Sequence, residues 1–156
     1  MSESGLISSF FELAGIVGVF IAGYISDKVF GSRRMPVIAI CLMMLGIFVF
    51  FLDDMPATRL SMSLSLMLIG FLLFGPDSLV SGTAAIDFGT KKGASTAAGL
   101  INGMGSIGAI IGGTVPGLFL ERWGWNGIFA FLGVMLFIAG GILIPKWNTV
   151  PITKSV

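Results

Sequence analysis

Five long apolar runs separated by short charged connections dominate this sequence. The runs span residues 6–26, 36–52, 60–82, 94–120 and 126–144. Each is close to the length of about 20 largely apolar residues that an α-helix needs to cross the hydrocarbon core of a bilayer. The runs lack the alternating pattern of a spanning β-strand and are about twice its length of roughly 10 residues. The sequence therefore predicts an all-α polytopic membrane protein with five transmembrane helices.

Composition supports the membrane class and excludes several kinds of site. Charged residues make up 11% of the chain, whereas soluble domains carry about 25%. The chain has no histidine, which removes the commonest metal ligand and the usual general base. Its single cysteine, Cys41, lies within an apolar run, so neither an intrachain disulfide nor a zinc site is expected. The net charge of +1 gives no reason to expect nucleic-acid binding. We expect no enzyme activity, no cofactor and no metal.

Lysine and arginine are unevenly distributed between the connections, and this distribution predicts the orientation of the helices. One side of the membrane would carry Lys28, Arg33, Arg34, Lys91, Lys92, Lys146 and Lys154, and the other only Arg59 and Arg122. Because cytoplasmic connections are rich in basic residues, we expect a cytoplasmic C-terminus and an outside N-terminus in the inner or plasma membrane. An outside N-terminus without a signal sequence is unusual, so we also expect a further portion of the protein upstream.

The connection GYISDKVFGSRR, residues 23–34, resembles the signature loop of the major facilitator superfamily. That loop follows the pattern G-x-x-x-D-[RK]-x-G-[RK]-[RK], with two extra residues here, Phe30 and Ser32. The matching residues are Gly23, Asp27, Lys28, Gly31, Arg33 and Arg34. The resemblance implies a gating loop whose Asp27 faces the N-terminus of a helix in the opposite half of a transporter, where the helix dipole favours an anion. The alternative is a loop that only sets orientation by its positive charge.

A second stretch, residues 69–113, resembles the organophosphate:phosphate antiporters within this superfamily. It contains GF-x-x-x-GP at 70–76, KK-x-A-x-x-AAG at 91–99 and GSIGA-x-x-GG at 105–113. The resemblance implies that the chain is helices eight to twelve of a twelve-helix fold, most of its C-terminal half. It also implies alternating-access transport of a phosphorylated small organic molecule, such as a sugar phosphate or glycerol-3-phosphate, in exchange for inorganic phosphate.

Four residues within the predicted helices are candidates for the transport path: Glu12, Phe74, Asp77 and Asn102. An ionisable group in a membrane costs about 2.5–3.5 kcal/mol on insertion scales and indicates a functional site. The resemblance implies that Glu12 lines a central cavity; a structural ion pair is the alternative. Asp77 shares a helical face with Phe74. Glycerol-3-phosphate relatives carry an apolar residue at the position of Asp77 and a tyrosine at that of Phe74. Asn102 would bind either a sugar hydroxyl or a neighbouring helix.

Small residues in the fourth run form a strip that favours close helix packing and is compatible with gating movements. The strip consists of Gly105, Gly108, Ala109, Gly112 and Gly113.

The resemblance places the arginines that grip phosphate on the first and seventh helices, whereas no lysine or arginine lies within the five runs. The missing N-terminal half of the same fold is therefore an expected partner, together with the lipid bilayer, the phosphorylated substrate and inorganic phosphate. Three alternatives stay open: a membrane sensor of sugar phosphates, a facilitator for another solute, and an inactive truncated fragment.

Overall fold

The structure is a computed structural model that describes residues 3–84 and 93–150. Its long helices are α1 (Glu3–Lys28), α2 (Arg34–Phe50), α3 (Arg59–Ser78) and α4 (Ala94–Leu143). A π-helical segment, Leu79–Ala84, continues α3, and a 3-10 turn, Ile144–Lys146, follows α4. All regular elements in these two ranges are helical, which confirms the all-α prediction for the described residues.

Helix α4 reverses direction at Gly124 and therefore consists of two antiparallel arms, 94–123 and 125–143. Gly124 has φ 66° and ψ −163°, a non-helical conformation that glycine adopts at little cost. A continuous helix would separate Phe119 from Phe131 by about 18 Å along its axis. Their ring centroids are instead 4.7 Å apart. The two arms correspond to the fourth and fifth apolar runs.

Three helical stretches in the described residues are long and apolar enough to cross a membrane: Ile7–Lys28, Arg59–Gly82 and Ala94–Lys146. The last includes both arms of α4. Helix α2 has 17 residues and is about 26 Å long, somewhat shorter than the hydrocarbon core of about 30 Å. The structure thus has the helices of an integral membrane protein, and the count of five spans stays a prediction.

Helices α1 and α3 pack with their backbones in contact at glycines. A Cβ atom added to Gly18 would collide with the carbonyl oxygen of Phe71, and one added to Gly70 would collide with that of Phe11. Lipid tails are as apolar as leucine, so helices in a membrane associate through van der Waals contact rather than through the hydrophobic effect. These glycines let the two helices approach closely enough for that contact.

The C-terminal arm of α4 also packs against α2 at glycines, which here are covered by phenylalanine rings rather than by backbone. A Cβ atom on Gly133 would lie 2.6 Å from the ring of Phe50, and one on Gly46 would lie 3.2 Å from the ring of Phe137. The rings of Phe50 and Phe137 contact each other, with centroids 5.9 Å apart. Two buried clusters lie between the helices: Ala22, Val37, Ile38 and Leu79, and Leu45, Val49 and Leu72.

The described connections group at two ends of the bundle. At one end, the connection between α2 and α3 shares a cleft with Trp125 beside the α4 turn. At the other end, the connection between α1 and α2 contacts Trp147 and Asn148, which follow α4. The predicted orientation depends on this grouping, because it counts the lysines and arginines of the connections at each end. Lys91, Lys92 and Lys154 lie outside the described residues.

The glycine contact between α1 and α3 gives a first testable prediction. Gly18→Ala places a methyl group against the backbone of α3, and overpacking of this kind costs about 1–3 kcal/mol. We expect a lower melting temperature in detergent, measured by loss of the monodisperse peak in size-exclusion chromatography. Gly141→Ala is the matched control, because a Cβ there would meet no described atom within 4 Å. Equal melting temperatures for the two variants would contradict the role of this contact.

Candidate functional site

The hairpin between α1 and α2 begins with a tight backbone turn. The Phe30 amide donates to the carbonyl oxygen of Ile25 at 3.1 Å, and the Ser32 amide donates to that of Ser26 at 2.7 Å. These bonds satisfy carbonyl groups that a helix C-terminus would otherwise leave unpaired. Gly31 and Ser32 have left-handed φ values of 61° and 70°. Such a conformation is easy for glycine and uncommon for serine.

A side-chain hydrogen bond holds Ser32 in this conformation. Its Oγ donates to Oδ1 of Asp27 at 3.1 Å, and the residue is only 5% exposed. The turn therefore accommodates a longer loop than the superfamily pattern by placing a second residue in the left-handed region after Gly31.

An ion pair closes the hairpin. Nη1 of Arg34 lies 2.6 Å from Oδ1 of Asp27 and donates a second hydrogen bond to Oγ of Ser26 at 3.1 Å. Ser26 is fully buried and donates in turn to the carbonyl oxygen of Arg33 at 3.3 Å. The Arg34 side chain is 10% exposed and that of Asp27 is 52% exposed. Asp27 is therefore paired within its own hairpin while half of its surface stays accessible.

The hairpin is also fastened to the segment that follows α4. Phe30 meets Trp147 edge to face, with ring centroids 6.2 Å apart. Nη1 of Arg33 donates to Oδ1 of Asn148 at 3.1 Å, although the two residues are 115 positions apart in the sequence. We call this pair of contacts the clasp. Sequence reasoning missed it, because hydropathy and motif spacing carry no information about which connections touch.

The other residues assigned to the gating loop lie at its edges. Lys28 and Gly31 are exposed. A Cβ on Gly23 would meet no described atom within 4 Å. The left-handed φ of Gly31 favours glycine at that position. At Gly23, no contact with a described residue requires a glycine.

Two transport-path candidates, Asp77 and Asn102, meet in a cleft between the end of α3 and the N-terminal arm of α4. We call it the Asp77–Asn102 cleft, and its volume is about 610 Å³. Ligand pockets in proteins typically measure about 300–1,000 Å³. The residues that line the cleft are Asp77, Val80, Ser81, Ile101, Asn102, Gly105, Ser106 and Ala109.

The π-helical segment after Pro76 shapes one wall of this cleft. Proline has no amide hydrogen, so it cannot donate the usual bond back along the helix. The Leu79 amide bonds the carbonyl oxygens of both Gly75 and Pro76, and the π-helix Leu79–Ala84 begins at this residue. Single π-helical turns of this kind are frequent at functional sites.

The polar groups of the cleft differ in their free hydrogen-bonding capacity. Oγ of Ser81 donates to the carbonyl oxygen of Asp77 at 2.7 Å, and Oγ of Ser106 donates to that of Asn102 at 3.0 Å. Both serines are therefore left as acceptors. In the part of the chain that the structure describes, no hydrogen bond joins the Asp77 carboxylate or the Asn102 amide to another residue. Both side chains are exposed to the cleft.

The charge of the cleft opposes a phosphate group. Asp77 is the charged residue among the described residues that line it. Two like charges about 4 Å apart repel by about 1 kcal/mol in water and about 4 kcal/mol near a protein surface. The described residues of the cleft are therefore better suited to uncharged polar groups than to an anion.

The structure does not bring Phe74 and Glu12 into this cleft. The Phe74 ring lies 5.2 Å from that of Phe11 and covers Gly15 of α1. The face predicted to hold both Phe74 and Asp77 is thus divided between two neighbouring helices. Glu12 is exposed on α1, and no ion pair or hydrogen bond links it to the residues in 3–84 and 93–150. Their roles in a transport path stay predictions.

The small-residue strip of α4 is largely uncovered. A Cβ added at Gly105, Gly108, Gly112 or Gly113 would meet no described atom within 4 Å. Gly105 and Ala109 line the Asp77–Asn102 cleft. Helix packing along the strip therefore stays a prediction.

Comparison with known proteins identifies the family. Residues 1–154 match the Major Facilitator Superfamily. The chain belongs to this superfamily. The glycerol-3-phosphate transporter of Bacillus subtilis is 40% identical over 144 residues, which are 89% of this chain and 32% of that protein. A probable hexose phosphate transport protein of Chlamydia trachomatis is 31% identical over 157 residues, covering 94% of the chain and 32% of the relative.

The relatives also include the membrane sensor protein UhpC of Salmonella typhimurium, which is 33% identical over 141 residues, 90% of this chain and 32% of the sensor. These matches confirm the predicted membership of the organophosphate:phosphate antiporter family. The chain spans about a third of the length of these relatives. No solved structure matches it.

The ion pair of the superfamily's signature loop gives a second prediction. Asp27→Asn removes the charge that faces Arg34. Because the aspartate is half exposed, we expect the free energy of unfolding to fall by about 1 kcal/mol. Thermal unfolding in detergent measures the change. Lys28→Gln, which removes an exposed charge at the next position, should have a smaller effect. An equal loss in both variants would show that the ion pair does not stabilise the hairpin.

Proposed function

We propose that this chain forms part of a secondary transporter that exchanges a phosphorylated small organic molecule for inorganic phosphate. The observation that carries the proposal is the 40% identity with a glycerol-3-phosphate transporter across 89% of the chain. The hexose phosphate relatives support the same solute class. The Asp77–Asn102 cleft adds polar groups suited to the organic portion of such a solute.

In this proposal the transporter works by alternating access, in which two helical halves rock around a central site. The chain supplies most of one half, and helices outside it supply the cationic groups that bind phosphate. Glu12 would face that central path or pair with a basic residue there. The Asp77–Asn102 cleft contributes from this half, and no covalent step is involved.

The hairpin and the clasp would act at the cytoplasmic end of this half. The Asp27–Arg34 pair keeps the hairpin rigid, and the clasp joins it to the end of α4. The two connections therefore move as one body when the halves rock. The half-exposed side chain of Asp27 would face a helix of the opposite half, and this contact would close the cytoplasmic side.

The proposed topology has five spans, with the hairpin and the segment after α4 in the cytoplasm. It predicts the labelling of single cysteines by a membrane-impermeant maleimide in a Cys41→Ser background. In intact cells, Asp54→Cys should react, because residues 51–58 lie at the outer end. Val150→Cys, beside the hairpin, should react only after permeabilisation. The reverse pattern would overturn the orientation, and labelling of both positions in intact cells would overturn the separation of the two ends.

Transport itself is tested by counterflow with the protein at its native length. Proteoliposomes loaded with phosphate are given radiolabelled glycerol-3-phosphate or glucose 6-phosphate outside. We expect internal phosphate to increase uptake severalfold over liposomes loaded with sulfate, because exchange requires a counter-substrate inside. Uptake that is independent of internal phosphate would contradict antiport but not transport.

A second candidate function is sensing of a sugar phosphate. The similarity to UhpC favours it, because that protein is a membrane sensor with 33% identity to this chain. A sensor would bind glucose 6-phosphate, measured by calorimetry, without counterflow in the same proteoliposomes. Binding with counterflow identifies a carrier.

A further inference from the structure

We infer that the Asp77–Asn102 cleft binds the hydroxyl-bearing end of the solute, and that Asp77 selects solutes by accepting hydrogen bonds from those hydroxyl groups. The inference rests on the proposed function, because it takes the solute to be a phosphorylated organic molecule. It adds the orientation of that molecule and the residue that discriminates between solutes.

The hydrogen-bonding capacity of the cleft matches a polyol. An ionised carboxylate accepts through both oxygens, and an amide both donates and accepts. Ser81 and Ser106 already donate to backbone carbonyls, so their oxygens remain as acceptors. A row of hydroxyl groups is rich in donors, and neighbouring hydroxyls can bind the two oxygens of one carboxylate. Acceptors thus dominate the cleft, and each hydroxyl group of the ligand supplies one donor for them.

A cation is a poorer fit for the same cleft. Hard cations take six or more oxygen ligands in a compact cage, whereas a single carboxylate lines this cleft. No group of three or more potential acidic, histidine or cysteine ligands occurs among the described residues. A volume of about 610 Å³ is that of an organic ligand site rather than an ion site.

A structural partner for Asp77 does not occur among the described residues. An aspartate within an apolar, membrane-length helix is expensive, and structural aspartates offset that cost with a partner. In the two described ranges, no hydrogen bond or ion pair reaches this carboxylate, and it faces open space in the cleft.

The charge of Asp77 also sets the orientation of the solute. Asp77 is the charged residue among the described residues that line the cleft, and its carboxylate would repel a phosphate group placed beside it. We therefore expect the phosphate to point away from Asp77 and the uncharged end of the solute to enter the cleft. A compound without hydroxyl groups would form no such hydrogen bonds in the cleft and would bind no more tightly because of it.

The test is isothermal titration calorimetry on the protein at its native length in lipid nanodiscs. The probes are glucose 6-phosphate, glycerol-3-phosphate, the monodeoxy analogues of whichever binds more tightly, and inorganic phosphate. Asp77→Asn keeps the shape of the side chain but weakens its acceptor. We expect the Kd of the tighter sugar or glycerol ester to rise about 10- to 100-fold, while the Kd of inorganic phosphate does not rise.

The deoxy analogues separate recognition from a general loss of structure. In the unaltered protein, removal of the contacted hydroxyl should weaken binding, and in Asp77→Asn the same removal should have little further effect. Asn102→Ala should show the same selective loss. Asp54→Asn, at the opposite end of the bundle, is the matched control and should change no Kd.

Two results would overturn the inference, and they are distinguishable. If Asp77→Asn leaves the organic ester unaffected, or weakens the ester and inorganic phosphate equally, the cleft does not recognise hydroxyl groups, and the proposed function stands. If the unaltered protein binds neither organic ester, the proposed function fails together with the inference.

Discussion

Close helix contact at glycines is the constraint on which the rest of this structure depends. In lipid, helices gain little from hiding apolar side chains, and close van der Waals contact has to replace that drive. Helices α1 and α3 meet at Gly18 and Gly70, and α2 meets the C-terminal arm of α4 at Gly46 and Gly133. These two pairs hold α1 against α3 and α2 against the C-terminal arm of α4. Because the surfaces in contact are smooth, they are compatible with the small rotations that alternating access requires.

The hairpin shows how several polar contacts together can make a short loop rigid. Its turn satisfies the end of α1, the Asp27–Arg34 pair joins the two helices, and the clasp joins the hairpin to the end of α4. Each contact alone is worth little at a solvated surface. Together they connect three helix ends, so that a force applied at Asp27 by an opposing helix would be transmitted to α4 rather than absorbed by the loop.

Much of this fold could be predicted from the sequence, and the exceptions have physical reasons. Long apolar runs with charged connections indicated the helices, and the reversal of α4 falls in the predicted connection, at Gly124. Helical spacing gives the angle of a side chain but not the neighbour it meets, so Phe74 and Asp77 were assigned to one face that the structure divides between α1 and α4. The clasp could not be predicted, because contact between Arg33 and Asn148 depends on the tertiary arrangement.

The position of Asp77 is informative because a carboxylate repels an anionic solute. A transporter of phosphate esters gains affinity from cationic groups that attract the phosphate, but such groups do not distinguish one ester from another. Discrimination has to come from contacts with the organic portion, and it is strongest where a missing hydroxyl would leave a polar group of the site unpaired. A carboxylate supplies such a group and also repels the phosphate. One residue can therefore both orient the solute and select it, provided that the cationic groups lie at the other end of the site.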